Sequence, residues 1–143
     1  MKNVQITPAC GWALLTALTL AGCATTNVGR APQISPVFAQ LKNDPDRIAL
    51  TALARGRIEV RNGCVVLAAQ NADLSLIWPD YATFDSNTLR IRSAVSHDSA
   101  MIGKRVRLGG GATSSLDLSS LAVVPASSCQ PPYFIVSNFK LEN

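Results

Sequence analysis

Asn62-Gly63 separates two runs of strand character, and no other feature of the 143-residue chain restricts its fold as much. Upstream, Arg55, Arg57, Glu59 and Arg61 alternate with Gly56, Ile58 and Val60. A period of two puts each set on its own face of a strand, so this segment is half-buried with its charges outward. Asn and Gly both tolerate positive φ, which the two central positions of a type I′ turn require, and that turn matches the twist of paired strands. Residues 64–69 are therefore expected to return as the second strand of a hairpin.

The pattern recurs downstream. Asn71-Ala72-Asp73 reads as a turn into a strand at 74–78 that Pro79 stops, and a polar loop covers 80–87. Arg90 and Arg92 alternate with Leu89 and Ile91 within 88–93, and Arg105 and Arg107 with Val106 and Leu108 within 104–108. Gly109-Gly110-Gly111 ends that run and reads as a bulge or corner. A short strand at 121–124 and a longer one at 133–141 complete the set. Aromatic residues make up only 6% of the chain, so the core must come mainly from Val, Ile, Leu and Ala. The expectation is an all-β, mainly antiparallel domain forming a small barrel of about five to six strands, with a β-sandwich or another small barrel as the alternative. A short N-terminal helical segment is also expected. Residues 36–42 suit an amphipathic turn or two, and Asp44-Pro45-Asp46 suits a helix start, while 45–54 stays open between helix and strand.

Two resemblances add to this reading. Gly103, Val106, Leu108 and Gly110 form a Gly-x-x-Val-x-Leu-x-Gly strand, and with the opening hairpin they make residues 53–141 resemble OB-fold domains. That resemblance implies a small barrel whose ligand surface takes oligosaccharides or oligonucleotides. At the N-terminus, Lys2 precedes an apolar stretch at 9–21, and the first acidic residue is Asp44. The stretch is shorter than the roughly 20 residues that span a bilayer, and it suits a signal peptide. Leu20-Ala21-Gly22-Cys23 resembles the lipobox of bacterial lipoproteins. The resemblance implies a signal peptide at 1–22, acyl chains such as palmitate on Cys23, a tether at 23–35 and a domain at 36–143. It implies anchoring in the cell envelope. With Ala24 rather than Asp after the cysteine, the periplasmic face of the outer membrane is favoured in a Gram-negative host.

Cys10 would leave with the signal and Cys23 would take lipid, so Cys64 and Cys129 remain in an oxidising compartment and are expected to pair. Closing a loop of about 66 residues contributes roughly 4 kcal/mol by chain entropy. The pair lacks the CxxC spacing of a reactive or metal-binding site.

No catalytic, metal or cofactor site is expected. His97, the single histidine, adjoins Asp98, and neighbours in sequence cannot adopt a Ser-His-Asp relay. The three glycines lack the Lys-Ser/Thr of a phosphate loop. The candidate binding surface is basic: Arg55, Arg57, Arg61, Arg90, Arg92, Lys104, Arg105 and Arg107 come from the outer faces of three strands, and they form one patch if those strands are adjacent. The plainer account is a solvated face that also guards strand edges. Trp78, with Tyr81 and Phe84 nearby, is either a stacking platform or a cap on the core. A net charge of +4 in an exported domain does not call for nucleic acid. The expected function is thus a non-enzymatic binding or structural lipoprotein. Its expected partners are the membrane through its lipid, and anionic lipid, cell-wall polymer or an envelope protein. The alternatives are an inhibitor of an attacking enzyme, as some envelope lipoproteins inhibit host lysozymes, and a hydrolase using His97.

Overall fold

The computed structural model describes residues 35–44 and 50–142. The signal segment, the lipobox with Cys23, most of the tether and the helix start at Asp44-Pro45-Asp46 lie wholly or partly outside those residues. The strands are β1 (Gln40–Leu41), β2 (Ala52–Arg61), β3 (Cys64–Ala68), β4 (Asp73–Ile77) and β5 (Ala82–Asp85). They continue with β6 (Arg90–Ser93), β7 (Ser99–Met101), β8 (Arg105–Thr113), β9 (Leu121–Val123) and β10 (Tyr133–Leu141). A 3-10 turn at Leu118–Ser120 precedes β9. The hairpin forms as the dipeptide dictates: Asn62 and Gly63 have φ of 52° and 82°, and Arg61 faces Cys64 across the turn.

Pairing runs β10-β4-β3-β2-β8 and returns to β10, so five strands close into a barrel. β10 lies parallel to β4 and antiparallel to β8, while the other barrel pairs are antiparallel. Closure leaves these strands without a free edge. The inward positions of each strand fill the interior: Ile58, Leu67, Leu76, Val106, Leu108, Phe134, Val136 and Phe139 are all buried together. Each such side chain contributes about 1.5–3 kcal/mol by leaving water. A separate sheet, β5–β6–β7, adds Ala82, Ile91 and Ala100 to the same core.

Three expectations need correction. Residues 36–42 are extended rather than helical. Val37 bridges to Cys64, β1 pairs with β9, and Phe38 stacks on Trp78 with ring centroids 5.3 Å apart. Backbone bonds to neighbouring strands and aromatic packing outweigh local helix preference here. The polar loop at 80–87 holds β5, because Ala82 finds a place in the core, and β7 after it places Ala100 there too. Finally, β8 passes straight through Gly109-Gly110-Gly111 to Thr113, and the irregularity lies on its partner β10, between Val136 and Asn138. A side chain at Gly110 would collide with the carbonyl of Ile135, so the close approach of β10 requires glycine there.

Two layers cover part of the barrel's outside. Ile77 alternates with inward Leu76 and Trp78, and packs outward with Ala39 and Leu41 of the β1 segment, Leu121 of β9 and Ile135 of β10. The Cys64–Cys129 disulfide, with Cα atoms 5.4 Å apart, fastens the segment before β10 over β3, where Val66, Cys129 and Ala126 pack together. Ser75 Oγ donates to the Gln130 carbonyl at 2.6 Å, holding the same segment over β4.

Candidate functional site

Among the described residues, the wall made by β2, β8 and the second half of β10 carries no such layer over its charged rows. On β2, Gly56 and Ile58 point inward, so Leu53, Arg55 and Arg57 point out and are exposed. On β8, Val106 and Leu108 are buried and Arg105 and Arg107 are exposed. The extra residue Ser137 in β10 resets the alternation, so that Phe139 goes in while Asn138 and Lys140 go out.

The registers set these residues in rows. Arg55 lies opposite Arg107, which lies opposite Lys140. Arg57 lies opposite Arg105, beyond which the Glu142 amide donates to the Arg105 carbonyl at 3.1 Å. A third row holds Leu53, Gly109 and Asn138. Five cations therefore share one wall, and the carboxylate among them is Glu142, 3.5 Å from Arg55 Nε and 3.8 Å from Arg105 Nε. Arg55 and Arg105 are 57% and 66% exposed, so these ion pairs stabilise little. Like charges directly across a strand pair are unfavourable. This wall thus costs stability and concentrates positive potential.

The basic patch expected from three strands is only partly assembled. β2 and β8 are neighbours, but Arg90 and Arg92 sit on β6, across from Met101 and Ser99 in the separate sheet. Lys104 is exposed in the turn before β8. Arg61, at the far end of β2, is engaged by Glu59 at 2.8 Å and by Asp73. Its pKa is raised, first by the hydrogen bond it donates to Glu59 and then by the nearby carboxylate charges, so its charge is satisfied locally. The third strand of the wall is β10. Its contribution was present in the alternation of Asn138, Lys140 and Glu142 with Phe139 and Leu141, but the bulge at Ser137 hides that parity within a longer run.

Trp78 does not belong to a surface. It is fully buried, stacked on Phe38 and edge-on to Phe139 at 5.4 Å, which makes it a cap on the barrel core. His97 is exposed in the turn between β6 and β7, with φ of 58°. Among the described residues no cluster of three or more His, Cys, Asp or Glu is placed to hold a metal. No family model, curated protein or solved structure matches the chain.

Proposed function

We propose that the chain is a lipid-anchored envelope protein whose barrel is a non-enzymatic binding module, contacting an anionic component of the envelope through the β2–β8–β10 wall. The observation that carries this is the pairing of Arg55 with Arg107 and Arg57 with Arg105 on exposed, adjacent strands, with Lys140 beside them and Glu142 as counter-charge. An arrangement that repels itself is relieved when an anion binds. Anchoring rests on the lipobox Leu20-Ala21-Gly22-Cys23, since two or more acyl chains hold a protein stably on a membrane.

The OB-like reading of the barrel is supported by its strand order, in which β2, β3 and β4 run consecutively and β10 enters between β4 and β8. The wall proposed as the contact surface differs from the usual one in such barrels, the face of the second and third strands. Here those strands are β3 and β4, and their outer side lies under the disulfide-held segment and the β1–β9 layer.

The test is retention on anionic envelope material. Arg55→Glu combined with Arg107→Glu is expected to weaken retention, and added salt to weaken retention of the wild type, because exposed charges are screened. Retention that ignores both would end the proposal. The anchor is tested by intact mass of the chain from its native membrane: a start at Cys23 with added acyl mass is expected, and an unmodified chain that keeps residues 1–22 would contradict it.

A further inference from the structure

We infer that the anionic partner is a phospholipid bilayer, against which the β2–β8–β10 wall rests with its arginines at the headgroups and Leu53 at the headgroup–acyl boundary. This rests on the reading of that wall as an anion-contact surface, and two observations, together with the proposed anchor, specify the partner.

The wall is not purely basic. Leu53 continues the outward row of Arg55 and Arg57 on β2 and is 59% exposed, facing Gly109, which offers no side chain to cover it. Leu50 lies against Gly111 and is 38% exposed. A charged polymer gives these leucines no favourable environment, whereas a bilayer presents phosphates and apolar chains within one interface.

The wall is also a strand ladder rather than a cleft. Among the described residues, concave ground is found beside the Cys64–Cys129 bridge, about 240 Å³, and beside Phe38 and Phe84, about 630 Å³. Enclosed ligands favour clefts, while an open barrel wall can be laid against a bilayer surface.

Finally, if Cys23 carries the proposed anchor, the twelve residues 24–35 can separate it from the domain by no more than about 40 Å, at roughly 3.5 Å per residue. A domain lipidated at Cys23 is thereby held at high local concentration near the bilayer. Basic residues on a protein surface then add to the acyl anchor, each changing partition on an anionic membrane by about fivefold.

The test uses the full chain carrying Leu53→Trp, in vesicles whose acyl chains are brominated to quench nearby indoles. Emission is read as the difference from the wild-type chain in the same form: a chain processed at Cys23 keeps Trp78, and one that retains residues 1–22 has Trp12 as well. In vesicles containing phosphatidylglycerol the added indole is expected to be quenched, and in pure phosphatidylcholine it is not. Quenching should disappear when Arg55→Glu and Arg107→Glu are combined with the probe, or in 1 M salt, where screening acts within about 3 Å. An added indole that phosphatidylglycerol vesicles leave unquenched overturns the bilayer assignment. If the charge reversals nevertheless weaken retention on isolated cell-wall material, only that assignment fails and the wall remains an anion-contact surface. If retention is unchanged as well, the wall's proposed role falls with it.

Discussion

The two sides of the barrel are built by the same pleat and end differently. On β3 and β4 the outward residues Cys64, Val66, Ser75 and Ile77 are buried beneath other parts of the chain, and only the end of the pair, Ala68 and Asp73, comes out from under the cover. On β2 and β8 the outward residues Leu53, Arg55, Arg57, Arg105 and Arg107 are exposed. The inward residues of both sides share one core. What distinguishes the sides is what the outer face can tolerate: a covered face excludes unpaired charge, and a bare one accepts it.

That contrast is most severely tested by placing a carboxylate under the β1–β9 layer. Ile77→Asp is expected to destabilise by more than about 3 kcal/mol in urea unfolding, because the charge would be buried without a partner. Arg55→Gln on the bare side should stay within about 0.5 kcal/mol. Similar costs for the two substitutions would mean that the sides are not different. Next in size, the double change Cys64→Ser and Cys129→Ser should cost about 2–4 kcal/mol, and should raise amide exchange in residues 64–68 as the segment over β3 is released. Unchanged exchange there would show that Ser75 and the packing of Ala126 hold the cover without the bridge.

A smaller effect has the opposite sign. Arg107→Glu places a carboxylate between Arg55 and Lys140, converting two repulsive cross-strand pairs into attractive ones. Stability is expected to rise by about 0.2–1 kcal/mol while anion retention falls. A loss of stability would mean that the wall's repulsion is already relieved within the fold.

The smallest effect depends on pH and concerns turns outside both walls. The Asp85 carboxyl is held below its ordinary pKa chiefly by the Thr88 hydroxyl and the Asn87 amide, and that of Asp117 by the Ser119 hydroxyl and amide. A lowered folded pKa gives stability that is present above the unfolded value, about 4, and is lost as pH falls through the folded value. Thermal unfolding of the wild type and of Asp85→Asn with Asp117→Asn should therefore differ most near neutrality and converge in acid. A gap that widens on acidification would contradict the assignment.

The contrast between the sides was partly legible in the sequence. Arg55 to Arg61 and Arg105 to Leu108 alternate strictly, the mark of a strand with one wet face. Cys64-Val65-Val66-Leu67 and Leu76-Ile77-Trp78 run apolar without alternation, the mark of a strand buried on both faces. Asn62-Gly63 specified the hairpin because its chemistry is local. Adjacency was not local: β8 pairs with β2 and β10, while β6 joins another sheet, and the identical Arg-x-Arg spacing in β6 and β8 carries no sign of which. Lys140 was missed because the extra residue Ser137 shifts its parity against Phe134 and Val136. The cover over β4 was missed because β1 is two residues long and draws its strand character from β9 and Trp78 rather than from its own sequence.

Amide exchange on the full chain, with and without phosphatidylglycerol vesicles, tests most directly the claim that the bare wall is the contact surface. Protection is predicted within residues 53–57 and 105–111, with residues 124–132 over β3 unchanged. Protection centred on 124–132, or none on either wall, would contradict it.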